Sequence, residues 1–325
     1  VIAVVKDVAE TEIVLSAHGL HKSYKNMQAL TDFSFEMRAG EIIGLLGPNG
    51  AGKTTAMRIL STIFPPDRGD FSVMGIPHTR REEIRALIGV LPESMGFPMY
   101  MTGEEYLTYM GRLYGRSPQN AEAKSMELLT LFGLADAADS RITTYSRGMR
   151  QRLGNARTFI NDPKILFLDE PTLGFDPKGQ QEMLQVVKDA AMVNRVAVVI
   201  SSHQLEVVEE ICSQVLILNK GHLVAAGKVS DIKQKIPASP ACRIEVSSET
   251  MDKALAILAQ MDDVKVERNP NRQNEILISM QKDGTNTVSR ILQSLIQAGV
   301  LVEALTKESV SLSDAFLSMI EEVQA

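Results

Sequence analysis

An α/β fold, a mixed sheet with a helical insertion, followed by a smaller α+β unit of ferredoxin-like order, is what the sequence predicts. Three observations carry this reading. Short apolar runs of strand length alternate with helix-forming stretches through most of the chain. One stretch between strands is almost all helix. Beyond a segment containing Pro237, Ser239 and Pro240, the pattern becomes strand–helix–strand–strand–helix–strand. A chain of 325 residues accommodates a large domain, expected over 1–235, and a smaller one over 236–325.

In chain order, residues up to about Glu10 read as a leader. Glu12–Ala17 and Asp32–Met37 alternate apolar with polar residues, as half-buried strands do. Ile42–Leu46, Phe71–Met74, Ile88–Leu91, Ile165–Leu168, Val196–Ile200 and Val215–Leu218 are short apolar runs, the mark of strands covered on both faces. Residues 97–158 form the expected helical insertion, with Glu104–Tyr114 and Ala121–Phe132 as helices. Its entry, Met95-Gly96-Phe97-Pro98-Met99-Tyr100-Met101, is rich in methionine and aromatics. Such a segment either packs into a core or offers an adaptable surface to a partner. Gln234–Pro240 reads as a linker. Beyond it, Arg243–Val246, Val264–Glu267, Glu275–Met280 and Leu301–Leu305 read as strands, with a turn at Asn269-Pro270-Asn271. Glu249–Met261, Thr285–Ala298 and Leu312–Val323 read as helices; Val288, Ile291, Leu292, Leu295 and Ile296 stand at helical spacing.

Composition narrows the function classes. Hydrophobic residues make up 44% and charged residues 23%, as in an ordinary globular protein. A net charge of −6 supplies no global basic field for nucleic acid. The two cysteines, Cys212 and Cys242, form no metal spacing and suggest buried thiols in a reducing compartment. No run reaches membrane-spanning length, and Val1–Lys6 lacks the features of a signal peptide. Contact with a membrane is therefore expected through a partner.

The chemistry concentrates in five places. Gly47-Pro48-Asn49-Gly50-Ala51-Gly52-Lys53-Thr54-Thr55 follows an apolar strand and precedes a helix, the context of a phosphate-binding P-loop. Its glycines let backbone N–H groups close around a phosphate at the positive end of a helix dipole. Lys53 adds a mobile charge for β- and γ-phosphates, and the Thr54 hydroxyl is placed to hold Mg²⁺. Lys164–Glu170 is an apolar strand ending in two acids. Asp169 is placed to bind Mg²⁺, and Glu170 to polarise an attacking water. His203 follows another strand and is placed to contact the γ-phosphate and that water. Tyr145-Ser146-Arg147-Gly148-Met149-Arg150-Gln151-Arg152 opens a helix. There Ser146 and Gly148 offer a hydroxyl and a bare N–H to a phosphate, although a basic helix with a solvated face fits the same residues. Tyr24 reads equally as an adenine stacker or a strand-edge tyrosine.

Together these segments resemble the nucleotide-binding subunits of ATP-binding cassette (ABC) transporters, in the family's order over about residues 12–235. Gly47–Thr55 resembles Walker A, and Ile165–Glu170 resembles Walker B with its glutamate. Tyr145–Met149 is similar to the family signature, Gly174-Phe175-Asp176-Pro177 to the D-loop, and His203 to the switch histidine. The chain departs from the pattern at Glu93, where the family usually carries Gln, and at Arg147, which replaces a glycine of the signature. Both departures look like those of ABC-2-type export subunits. The C-terminal unit resembles the accessory domain of that group, and Val310–Leu317 is similar to its tail.

The resemblance implies a P-loop ATPase cassette using ATP and Mg²⁺, with Asp176 near the nucleotide and Glu93 approaching the metal. It implies a head-to-tail pair of copies, with each ATP between Gly47–Thr55 of one and Ser146 and Gly148 of the other. It also implies a transmembrane permease docked near Glu93 and the helical insertion, hence a peripheral place on the cytoplasmic face of the cell membrane. An alternative is a soluble cassette ATPase acting on nucleic acid or ribosomes. Such proteins usually join two cassettes or insert long coiled coils, and this chain has one cassette and no heptad run. A third reading makes the C-terminal unit a ligand-binding regulator, against the plainer reading of simple dimer support.

Overall fold

The apolar runs become the centre of a six-stranded sheet because both of their faces are covered. Every residue of Ile42–Leu46 is buried, as is every residue of Ala197–Ser201. The computed structural model describes residues 12–25, 27–234, 241–261, 264–269, 274–280, 284–308, 312–313 and 316. The expected leader, the linker over 235–240, the turn at 270–271 and most of the last helix lie outside these residues. Two compact units are present, Val1–Val229 and Ser230–Val323, so the division falls a few residues before the expected linker.

In the first unit the elements run β1 (Ile13–Tyr24), β2 (Met27–Arg38), β3 (Ile42–Leu46), α1 (Lys53–Leu60), β4 (Arg68–Val73), β5 (Ile76–Pro77), α2 (Arg81–Leu87) and β6 (Ile88–Leu91). Then come α3 (Gly103–Leu113), α4 (Pro118–Leu131), α5 (Arg147–Thr158), β7 (Ile165–Asp169), α6 (Pro177–Met192), β8 (Ala197–Ser201), α7 (Leu205–Ile211), β9 (Gln214–Asn219) and β10 (His222–Lys228), and α8 (Val229–Gln234) begins where the two units divide. The six-stranded sheet has the order β10-β9-β3-β8-β7-β6. Its strands pair in parallel except for β10, which runs antiparallel to β9. The sheet is thus mixed, with α/β crossovers on its parallel part. A second sheet, β2-β1-β4-β5, is antiparallel. Both sheets feed one apolar core, in which Phe33, Leu45, Met57, Ile59, Phe71, Phe167 and Val199 are buried together.

Strand β10 is missing from the sequence reading. Its signal is the pair Lys220-Gly221, both at positive φ (47° and 82°), as the two-residue type I′ hairpin turn requires. The helical insertion is built on local signals. Thr102 and Glu105 form a reciprocal capping box at the start of α3, and Ser117 caps α4 with Pro118 at its first position. The entry segment splits between its two readings. Phe97 lies edge-on to Tyr106 at 5.3 Å, while Tyr100 is 77% exposed.

In the second unit β11 (Ala241–Val246), α9 (Met251–Leu258), β12 (Val264–Arg268), β13 (Glu275–Met280), α10 (Gly284–Gln297) and β14 (Val302–Glu308) follow in order. The strands are antiparallel in the order β12-β13-β11-β14, the arrangement of a ferredoxin-like unit. Cys242, Ile244, Ile276, Ile278, Leu258, Ile291 and Leu295 form its core. Helix α9 ends before Met261 because the backbone tightens into three-residue turns from Gln260 onward.

Candidate functional site

Strand β3 delivers the chain to a loop that backbone surrounds on two sides. Gly47 has φ 152°, and a Cβ there would lie 2.4 Å from the Leu218 carbonyl oxygen. Gly52 has φ 109°, and its Cβ would lie 2.5 Å from the Ala29 carbonyl oxygen. A side chain at either position would displace backbone, which fixes glycine at both ends of the loop. Pro48, Asn49 and Gly50 are exposed, Ala51 is buried, and Thr54 and Thr55 are half-buried. Gly52 caps α1 without a side-chain hydrogen bond, and the first turn carries no acid. The helix therefore keeps its N-terminal amides and positive dipole end for an anion. Lys53 bends back over the loop, donating to the carbonyls of Gly47 (2.6 Å) and Pro48 (3.2 Å). Burial lowers the pKa of this ammonium, and the charges of Glu170 and Asp169 act in the opposite sense.

Thr54, Glu93 and Asp169 line one cavity of about 110 Å³, together with Arg58 and Ser94. Asp169 ends β7 and accepts a hydrogen bond from the Ser201 hydroxyl at the end of β8. Burial holds its carboxyl above the usual range. The Ser201 hydrogen bond opposes that shift, the Glu93 charge adds to it, and Lys53 and Arg58 oppose it. A hydroxyl and two carboxylates around one small cavity are hard oxygen donors, the set that suits Mg²⁺ completed by water and phosphate oxygens. Among the described residues no cluster of three or more His, Cys, Asp or Glu is spaced to hold a metal by itself.

Glu170 takes φ 51°, a left-handed conformation that a non-glycine residue rarely adopts. Its N–H donates to the Ser201 carbonyl at 3.0 Å. Its Oε2 accepts from His203 Nδ1 at 2.9 Å, which fixes the proton of the neutral imidazole on Nδ1. The Glu170 side chain is 19% exposed and that of His203 64%. The pair thus sits at the mouth of the site, with the carboxylate on the inner side.

Ser146 caps α5, its hydroxyl accepting from the Met149 N–H at 3.2 Å. The expected solvated face of this helix is only part of it, since Gln151, Leu153, Gly154, Asn155 and Ala156 are buried. Arg147 lies against Gly174, close enough that a Cβ on that glycine would come within 3.3 Å of Arg147 Nε. The arginine in place of a glycine is accommodated within the chain. Asp176 caps α6 without a side-chain hydrogen bond. Tyr24 ends β1 and lies edge-on to Phe64 at 6.3 Å.

The structure therefore gathers Lys53, Thr54, Glu93, Asp169, Glu170 and His203 at the carboxyl ends of neighbouring strands. Among the described residues no hydrogen bond joins Tyr24, Ser146, Gly148 or Asp176 to Gly47–Thr55. Ser201 was not singled out in the sequence; the signal available was a hydroxyl residue at the tip of a strand pairing with β7. Gln151 and Asn155 were missed as well, hidden in a helix read for its arginines. Both cysteines are buried, and burial pushes the Cys212 thiol far up.

Residues 30–173 match the family model described as ABC transporter. YdbJ of Bacillus subtilis (strain 168), an uncharacterized ABC transporter ATP-binding protein, is 33% identical over 307 residues, covering 94% of this chain and 95% of its own. The daunorubicin resistance ATP-binding protein DrrA2 of Streptomyces coeruleorubidus is 32% identical over 307 residues, covering 93% and 94%. A solved ATP-binding subunit of an ABC transporter superposes with a TM-score of 0.64 at 29% identity, covering 68% of this chain and 92% of that one.

Proposed function

The chain belongs to the family of ABC transporter ATP-binding proteins, and we propose that it binds and hydrolyses ATP to energise a membrane exporter through a separate transmembrane permease. The observation that supports this best is one site that joins a phosphate cradle, a metal-suited oxygen set and a strained glutamate paired with a histidine. In this reading the amides of Gly47–Thr55 and the Lys53 ammonium hold the β- and γ-phosphates. Thr54, Asp169 and Glu93 would hold Mg²⁺, which supplies charge neutralisation on the phosphate oxygens. Glu170 takes a proton from the attacking water as its oxygen bonds to the γ-phosphorus and the bond to the β-phosphate oxygen breaks. His203 orients the Glu170 carboxylate and faces the γ-phosphate.

Ser146 and Gly148 stand at an exposed helix start, with no hydrogen bond to the loop of their own chain. That supports a head-to-tail pair, in which they complete the site of a second copy. Tyr24 stacks on the adenine, and Asp176 lies beside the nucleotide of the closed pair. Residues 1–235 form the ATPase domain and 236–325 an accessory one. Among the described residues no helix is long and apolar enough to cross a membrane. The permease therefore places this subunit at the cytoplasmic face. Relatives named for drug resistance support export as the direction.

Affinity purification of the full chain from detergent-solubilised membranes tests the partner. A polytopic membrane protein retained in stoichiometric amount is expected. Ribosomes or nucleic acid in its place would turn the reading toward a soluble cassette ATPase.

A further inference from the structure

Two buried amides on α5 face the turn that carries Glu170. Gln151 is 8% exposed and Asn155 fully buried. Gln151 Nε2 donates to the carbonyl of Glu170 at 3.0 Å and approaches that of Pro171 at 3.3 Å. Asn155 Nδ2 donates to the Pro171 carbonyl at 2.9 Å and to the Gln151 carbonyl at 3.1 Å. Facing backbone carbonyls, each amide can satisfy the contact only through its NH₂ group. Glu170 is thus held on both sides of its α-carbon: by β8 at its N–H and by α5 at its carbonyl.

This clamp coincides with a strained residue. A glutamate at φ 51° persists only where its surroundings over-determine it. Removing the Gln151 donor leaves the partly buried Glu170 carbonyl with only the Leu173 N–H at 3.2 Å, and takes away the one contact that ties it to α5, which favours a different backbone conformation at Glu170. Such a change swings the carboxylate away from His203 and from the reacting water. Nothing in this arrangement touches the loop at Gly47–Thr55, so nucleotide binding is left intact.

We propose that Gln151, supported by Asn155, is a positioning residue for hydrolysis: it locks the backbone of Glu170 in the conformation that aims the carboxylate at the attacking water. This rests on the reading of Glu170 as general base, and the test separates the two.

The full chain carrying Gln151→Met, which keeps the volume and removes the donor, is compared with wild type, Glu170→Gln and the double variant. Gln151→Leu runs alongside as a second donor-free side chain. Phosphate release gives kcat and KM, and a fluorescent ATP analogue gives affinity. Misplacing a catalytic group by a fraction of an ångström is expected to lower kcat about tenfold or more. KM and analogue affinity should stay within about twofold, and the substitution should add no further loss on top of Glu170→Gln. A kcat that is unchanged in both donor-free variants overturns the proposal. So does an equal further loss in the Glu170→Gln background, or loss of folding or nucleotide affinity in both variants. Wild-type turnover in Glu170→Gln would instead overturn the general-base reading.

Discussion

Replacing Glu170 by glutamine removes basicity and little else. The amide keeps the carboxylate's shape, and its Oε1 still accepts from His203 Nδ1, now 2.9 Å from Oε2. The backbone on both sides stays clamped by Ser201 and Gln151. No second base stands ready, because Asp169 is bonded to Ser201 and lines the cavity with Thr54 and Glu93. A positioned general base contributes about 10²–10⁴ in rate, or about 2.7–5.4 kcal/mol of transition-state stabilisation. With the carboxylate only 19% exposed and no substitute beside it, a fall in kcat of about 10³ is expected. Ground-state binding should move the other way. Removing an anion beside a triphosphate gains about 1 kcal/mol at water-like dielectric, so ATP should bind about fivefold more tightly. The assay is phosphate release at saturating Mg²⁺ and ATP, paired with titration of a fluorescent nucleotide. A kcat within about threefold of wild type would refute the reasoning, and so would ATP affinity falling in step with kcat.

Backbone strain at φ 51° makes Glu170→Gly melt higher than Glu170→Ala, by about 2–4 °C in a thermal scan, since an L-residue there costs about 1–2 kcal/mol; equal melting temperatures would remove the strain argument. Lys53→Ala should weaken ATP binding at least about tenfold, because a charge-assisted hydrogen bond contributes about 1.5–3 kcal/mol, and an unchanged dissociation constant would count against the loop's role. Burial alone would raise the Asp162 carboxyl, but hydrogen bonds from Arg116 and Lys124 outweigh it and hold the carboxyl below its ordinary 3.8. A depressed carboxylate stabilises the fold above its unfolded pKa and loses that contribution as pH falls through the folded one. Asp162→Asn should therefore melt about 1–2 °C lower than wild type at neutral pH, discounted for an exposed pair, with the gap closing below pH 3.8; a gap that widens in acid would contradict the pairing.

What was legible in the sequence depended on whether the signal was local. The loop at Gly47–Thr55 and the acids after β7 could be read because glycine spacing and a strand end constrain their own neighbourhood. The core strands were legible because burial on both faces demands unbroken apolar runs such as Ile42–Leu46. The residues that orient those groups come from elsewhere in the chain. Ser201 meets Asp169 across a parallel pairing of β7 and β8, and Gln151 reaches Glu170 from the opposite side of the turn. Neither register nor helix orientation is written in a local pattern. Strand β10 was lost for a different reason: its burial pattern is mostly half-exposed, so it lacks the apolar run that marks its neighbours. The strain at Glu170 has no sequence mark, since glutamate gives no hint of positive φ.

Whether one nucleotide sits on the loop from Gly47 and is cut with the help of Glu170 can be settled by isothermal titration of Glu170→Gln with ATP and Mg²⁺, run beside phosphate release from wild type. One saturable site per chain, abolished by adding Lys53→Ala, with release from wild type and only background from Glu170→Gln, is expected. No saturable binding while Lys53 is intact, or equal release with and without the Glu170 carboxylate, would contradict it.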